Sequence, residues 1–267
     1  MKLETLLLRI ESSVAYLTMN RPDRLNAMND TMIQELKQAL GFLSDDDTVR
    51  IVVITGEGKG FSSGADMKDR IENVIESKDR LSGARLISNM TDFLELVLLL
   101  DNYTKPTIAA INGVCVGGGL ELALACDFRI ASSKARLGLV ESNIGLIPGS
   151  GGTVRLAKLI GADKAKELVF TGDMIGGAEA ERIRLVTRSY TDDEFTAKVK
   201  ELAEKMATRP PIVLNLGKFA IDNAMDSNLR SSHMFERLAH NVLRSTNDHR
   251  EGVEAFKQKR MPKFKGR

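Results

Sequence analysis

Short apolar runs rich in β-branched residues alternate with helical repeats over the first two thirds of the chain. Val14 to Met19 reads as a strand that stops at Asn20-Arg21-Pro22. Thr31 to Leu43 then sets Met32, Leu36, Leu40 and Leu43 at helical spacing, with a cap among Asn29, Asp30 and Thr31. Ile51 to Thr55 is a continuous apolar run closed by Gly56, the pattern of a strand covered on both faces. Thr107 to Ile111, after Pro106, and Phe128 to Ala131 read the same way. Leu81 to Leu100 predicts a long helix with Met90, Phe93, Leu94, Val97 and Leu98 on its buried side. Strands separated by helices predict an α/β fold, with repeated ββα or βαβ units around a mostly parallel sheet.

Beyond about Ile183 the pattern turns helical: Glu194 to Ala207, Ile212 to Asn223, Leu229 to Leu243 and Asp248 to Lys259, with a break at Arg209-Pro210-Pro211. We therefore expect a core over residues 1–199 and a helical region over residues 200–267, of the kind that supplies a lid or an oligomer contact.

The 267 residues are enough for a substantial apolar core, and 38 Lys plus Arg against 36 Asp plus Glu leave a formal charge of only +2. So balanced a chain gives no global electrostatic case for nucleic acid or an anionic membrane surface. The two cysteines, Cys115 and Cys126, exclude a disulfide framework and a four-cysteine zinc cluster. No metal site is expected. The start has no apolar signal run, and Leu94 to Leu100 is too short to span a bilayer. These features together predict a cytoplasmic protein.

Candidate chemistry lies in three glycine-rich segments that each follow an apolar run: Gly58 to Asp66, Gly113 to Glu121 and Gly145 to Gly152. A single cluster is most simply a tight turn. Three clusters after buried strands, two of them opening helices, instead predict backbone N–H groups aimed at a ligand, as an oxyanion hole requires. Two carboxylates sit among apolar neighbours beside these loops, Glu121 and Glu141. Glu121 could simply favour its helix dipole, and Glu141 could be a surface loop residue. Placed together, they could act as acid and base on a water molecule, since desolvation raises a carboxyl pKa toward the useful range. Other motifs fail. Gly56 to Gly60 lacks a P-loop's spacing and its Lys-Ser/Thr end, and Ser150 lacks the glycine of a nucleophile elbow two residues before it. His233, His240 and His249 all fall in the helical tail, and the basic C-terminus reads first as a solvated tail.

The ordered pieces Asn20-Arg21-Pro22, Leu25-Asn26-Ala27, Gly60 to Asp66, Lys105-Pro106, Asn112-Gly113, Gly117 to Ala123, Cys126-Asp127, Gly145 to Thr153, Arg155-Leu156, Thr171-Gly172-Asp173 and Arg250-Glu251-Gly252 span nearly the whole chain. Taken together they resemble the enoyl-CoA hydratase/isomerase (crotonase) family. The resemblance implies a spiral of ββα units followed by helices used for homotrimer or hexamer assembly. It also implies an acyl thioester of coenzyme A as substrate, with no separate cofactor. The thioester oxygen would be held by the N–H groups of Ala65 and Gly118. Glu121 would activate a water that Gly149 helps to orient, and Glu141 would deliver a proton to Cα.

The coenzyme A side would run along Ser63, Met67 and Lys68, with Lys59 near the phosphates and Lys259 reaching a neighbouring subunit's ligand. Arg24, Gly64, Asp66 and Gly117 complete the implied binding set. Three departures bear on the acyl pocket: Val140 where the family often has Pro, Ser63 for Ala or Cys, and His240 where hydratases often place Phe. The paired glutamates favour hydration of a 2-trans-enoyl-CoA, in fatty-acid or related acyl-CoA metabolism. A Δ3–Δ2 enoyl-CoA isomerase, or a hydratase for branched or dicarboxylic acyl groups, would use the same oxyanion hole. An RNA-binding branch of the family is the alternative from another class, with only the basic tail in its favour.

Overall fold

The computed structural model describes residues 3–66 and 92–267. Its larger sheet has six strands in the order β1 (Leu6–Glu11), β2 (Val14–Met19), β3 (Ile51–Gly56), β5 (Thr107–Ile111), β7 (Phe128–Ser132) and β10 (Arg188–Tyr190). Only the β1–β2 hairpin is antiparallel; β2, β3, β5, β7 and β10 run parallel. A smaller sheet holds β4 (Gly60–Ser62), β6 (Val114–Val116), β8 (Arg136–Gly138) and β9 (Ile175–Gly176). Each of β4, β6 and β8 leaves its larger-sheet predecessor through a short turn, so the two sheets repeat together.

The unbroken apolar run of β3 has a direct explanation. Val52 and Ile54 enter one core, together with Met32, Leu36 and Leu40 of α1 (Asp30–Asp45) and Leu96, Val97 and Leu100 of α2 (Asp92–Asp101). Ile51 and Val53 face the other way, onto Phe195, Val199 and Ala203 of α7 (Asp192–Ala207). β5 divides likewise, with Ala109 and Ile111 on the first side and Ile108 and Ala110 on the second. Alternate residues therefore meet two separate apolar layers, which no polar position could serve. Of the three candidate caps for α1, Asn29 is the one used: its side chain accepts the Met32 N–H at 3.0 Å. Of the helix expected over Leu81 to Leu100, residues 81–91 lie outside the described residues.

Where the sheets meet, glycine is required by contact. A Cβ on Gly119 would sit 2.4 Å from the Ser62 carbonyl oxygen, so α3 (Gly118–Leu124) can lie against β4 only without a side chain there. The turn before β4 is organised by Asn26, which is fully buried with φ +55°. Its side chain donates to the Glu57 and Gly60 carbonyls at 3.0 and 2.8 Å, and accepts the Arg21 N–H at 2.8 Å.

The remaining α-helices among the described residues are α4 (Gly152–Ile160), α5 (Ala162–Thr171), α6 (Gly177–Arg182), α8 (Pro211–Asp226), α9 (Leu229–Arg244) and α10 (Asn247–Lys257). Helix α8 docks through Lys218, which pairs with Asp127 at 3.0 Å, and through Asp226, which pairs with Lys158 of α4. The basic C-terminus is not a loose tail. Glu251 pairs with Arg260 at 2.6 Å, and Asp248 accepts the Lys265 and Gly266 N–H groups at 2.7 and 2.8 Å. Expectation and structure differ here because acidic side chains of α10 satisfy the tail's backbone donors. Among the described residues no helix is long and apolar enough to cross a membrane.

Candidate active site

The segment Gly64-Ala65-Asp66 runs beside Met28 as a single parallel bridge. Met28 donates to the Gly64 carbonyl at 2.8 Å, and Asp66 donates to the Met28 carbonyl at 3.0 Å. This pattern turns the intervening Ala65 N–H to the opposite side. Gly118 opens α3, where a first-turn N–H has no intrahelical acceptor. Among the described residues neither N–H donates to a protein acceptor. The two loops touch: a Cβ on Gly64, which has φ +88°, would lie 3.1 Å from the Gly118 nitrogen and 2.9 Å from the Val116 carbonyl. Met28 and Phe93 border this point, each with an atom 3.4 Å from where a Gly118 Cβ would stand. The site thus has two free amides beside apolar side chains.

Glu121, one turn into α3, is only 4% exposed. Its Oε1 accepts the N–H of Ser150 at 2.7 Å and that of Gly152 at 3.0 Å. These donors come from the third glycine-rich segment, so a buried carboxylate is satisfied by backbone about thirty residues away. Gly152 has to be glycine, since a Cβ there would approach Glu121 Oε1 to 3.1 Å and Pro148 Cβ to 2.7 Å.

Glu141 begins a 3-10 turn, Glu141–Ile144, and is half-buried. Its Oε1 lies 3.4 Å from where a Cβ on Gly117 would be, next to the Gly118 amide. Its Oε2 is buried with no hydrogen-bond partner among the described residues. Burial pushes its pKa up; its own backbone N–H offsets part of this, and the negative charge of Glu121 adds to the rise. A carboxyl so placed can hold a proton at a pH where ordinary glutamates have lost theirs, with its second oxygen free to present it. Glu141 is thus no surface carboxylate, and Glu121 serves more than a helix dipole.

The structure therefore brings Ala65, Gly117, Gly118, Glu121 and Glu141 to one place. Gly149 is exposed immediately before the Ser150 donor. Asp66 is held in an ion pair with Arg21 at 2.8 Å and is buried. Ser63 binds the Arg24 carbonyl at 3.2 Å, Arg24 pairs with Asp23 at 3.7 Å, and Lys59 is exposed on the neighbouring turn. Ser63 directly precedes the Gly64–Ala65 pair, and its hydroxyl ties Arg24 to it. Met67 and Lys68 lie outside the described residues. Lys259 and His240 lie with the C-terminal helices, His240 in a groove lined by Pro210, Val213, Phe256 and Phe264. Among the described residues no group of three His, Cys, Asp or Glu side chains is placed to hold a metal ion.

Sequence reasoning missed Met28, placed Phe93 only on the buried side of its helix, and did not join the Ser150 and Gly152 amides of the third glycine-rich segment to Glu121. The only available signal for the amides was the unbroken Gly149-Ser150-Gly151-Gly152 string itself.

Residues 9–267 match the sequence profile of a family described as enoyl-CoA hydratase/isomerase. The short-chain-enoyl-CoA hydratase of Clostridium acetobutylicum is 39% identical, with 97% of each chain covered. The crotonyl-CoA hydratase of Syntrophomonas wolfei is 36% identical, with 99% of each covered. A crystal structure of an enoyl-CoA hydratase from Bacillus anthracis superposes with a TM-score of 0.91 at 35% identity, covering 99% of this chain and all of that one.

Proposed function

Since the chain belongs to the enoyl-CoA hydratase/isomerase family and has its crotonase fold, we propose that it adds water across the Cα=Cβ bond of a 2-trans-enoyl-CoA to give a 3-hydroxyacyl-CoA. The observation that carries this reading is the meeting of a buried and a half-buried glutamate beside two amides that have no protein acceptor among the described residues: the charge on Glu121 adds to the rise in the Glu141 pKa, and Glu141 Oε1 lies 3.4 Å from where a Cβ on Gly117, the residue before Gly118, would stand.

In the reaction, the thioester oxygen accepts hydrogen bonds from Ala65 and Gly118. Glu121, ionised, takes a proton from water as the water oxygen forms its bond to Cβ. The π electrons move through Cα to the thioester oxygen, where the two amides hold the enolate; one such donor is typically worth about 3 kcal/mol of barrier. Glu141, protonated, then gives its proton to Cα as the carbonyl reforms. A proton passed from Glu121 to Glu141 through solvent restores the starting state, so the net change is one water added.

Moving a double bond from Δ3 to Δ2 needs only one proton shuttle, so the second glutamate favours hydration over isomerisation. Ser63, Gly64, Arg24 and Lys59 are assigned to the coenzyme A side on the family resemblance; Ser63 and Gly64 directly precede Ala65, Ser63 donates to the Arg24 carbonyl, and Lys59 is exposed. We further assign the exposed apolar residues of the C-terminal helices, among them Ile221, Met225, Leu229 and Phe256, to homotrimer or hexamer contacts. A cytoplasmic role in acyl-CoA metabolism fits this chemistry.

The test is direct. The purified protein is mixed with crotonyl-CoA and with longer, branched and 3-enoyl thioesters, following loss of the conjugated absorbance and identifying products by mass. A 3-hydroxyacyl thioester supports the reading. Conversion of 3-enoyl to 2-enoyl thioester without hydration overturns it in favour of an isomerase.

A further inference from the structure

Two charges sit at the wrong ends of their helices. Asp101 closes α2, where the helix dipole disfavours an anion, and Arg155 stands in the first turns of α4, where it disfavours a cation. Neither placement helps its own helix. Each is explained by the other: Arg155 Nε donates to Asp101 Oδ1 at 3.1 Å, and its Nη2 forms a short ion pair with Oδ2, a two-pronged contact between partly buried groups.

The remaining prong points at the active site. Arg155 Nη1 donates to the Ser150 carbonyl at 3.0 Å. That carbonyl belongs to the peptide unit lying between the two whose N–H groups, from Ser150 and Gly152, bind Glu121 Oε1. Gly151 makes room for the grip. It has φ +91°, and a Cβ there would fall 1.6 Å from Arg155 Nη1, inside the guanidinium's own volume.

From these contacts we infer that Arg155, clamped by Asp101, is a positioning residue for Glu121. By holding the Ser150–Gly151 peptide it fixes the direction of the two amides that orient the Glu121 carboxylate. The pair touches neither the Ala65 nor the Gly118 amide, so it governs the acid–base side of the site and leaves thioester capture alone. This assignment rests on the hydration mechanism proposed above, yet the loop ordering it describes is measurable without turnover.

The experiment has a kinetic arm and an exchange arm. Arg155→Ala and the gentler Asp101→Asn are compared with wild type on crotonyl-CoA, each also in a Glu121→Gln background. Lys158→Gln serves as the control, because it removes another α4 ion pair, that with Asp226, without touching the loop. We expect Arg155→Ala to lower kcat at least tenfold with KM changed less than threefold, and to cost less than threefold more once Glu121 is Gln. The control should stay within twofold of wild type. Equal losses in both backgrounds, or no loss with Glu121 present, overturn the inference and leave the pair as a tie between helices.

In the second arm, amide hydrogen exchange of the peptide covering residues 146–153 is followed in wild type, Arg155→Ala and Asp101→Asn. Exchange at Ser150 and Gly152 should accelerate severalfold in both variants; unchanged exchange overturns the inference whatever the kinetics show. If wild type hydrates nothing while the variants still loosen this loop, the hydration reading fails and the positioning of Glu121 stands.

Discussion

Glu121 and Glu141 share one electrostatic environment: the charge on Glu121 reinforces the burial that lifts the Glu141 pKa above its ordinary value. The two differ in how their oxygens are served. Glu121 receives two backbone N–H groups on one oxygen, which fix its direction. Glu141 keeps one oxygen buried and without a donor among the described residues, which suits a carboxyl that holds a proton.

The sign of the pH dependence follows. Glu141 is the proton donor in the proposed reaction, so its protonated form is the active one. Turnover should fall as pH rises through its raised pKa, giving an alkaline limb to the kcat profile. Glu141→Gln should remove that limb and lower kcat by about 10²–10⁴-fold with little change in KM. Steady-state kinetics across pH checks both, and a loss under tenfold takes Glu141 out of the mechanism.

Asn26 closes the turn that delivers β4 to the site, satisfying two carbonyls and one N–H in a fully buried position. Asn26→Ala strands all three groups and forces alanine into a left-handed backbone conformation. Each stranded polar group costs about 1–3 kcal/mol, so urea unfolding should show a loss of at least ~3 kcal/mol.

Cys115 and Cys126 are both buried in the core, and burial pushes the Cys126 thiol up to about 12 and the Cys115 thiol well above its usual value. Thiolate is the reactive form. A thiol-reactive disulfide reagent at about pH 8 should therefore titrate neither cysteine in the native protein and both after denaturation. Rapid native labelling would show that the core around β6 opens.

Arg260 beside Glu251, helped by the Lys263 N–H, holds the Glu251 carboxyl down at about 2. A depressed carboxylate contributes stability that is complete above its unfolded value of 4.5 and disappears as pH falls through about 2. The C-terminal strap should thus stay seated through mild acid and release only near the lower value. The Lys263 amide resonance, titrated from about pH 6 to about 2, reads this; a midpoint near 4.5 would mean the pair does not form in solution.

Much of this architecture was legible from the chain alone because it depends on local pattern. The doubly covered strands β3 and β5 announce themselves as unbroken apolar runs, and α1 by its spacing. The small sheet was not readable: β4, β6 and β8 are three residues each, too short for any alternation to register. At the site, Glu121 and Glu141 stood out as carboxylates amid apolar neighbours. What holds Glu121 did not, because backbone N–H groups carry no residue identity and their approach depends on tertiary packing about thirty positions later in the chain. The pinning of the basic tail was hidden for a related reason. Its partners, Asp248 and Glu251, look like ordinary helix-surface acids until the chain doubles back over them.

Gly64 and Gly117 hold the two amide donors through left-handed backbone, with φ +88° and +53°. Machinery made of main chain offers almost nothing for a point substitution to adjust: a side chain added at Gly64 collides with the Val116 carbonyl, and one placed elsewhere leaves the N–H chemistry as it was. Diversification of such a scaffold toward new acyl groups is thereby channelled into its walls, Met28 and Phe93, and into Ile144, Leu146 and Ile147, exposed apolar residues that follow Glu141 in the chain. Redesign for a bulkier thioester should begin there, with the amide pair treated as a fixed part.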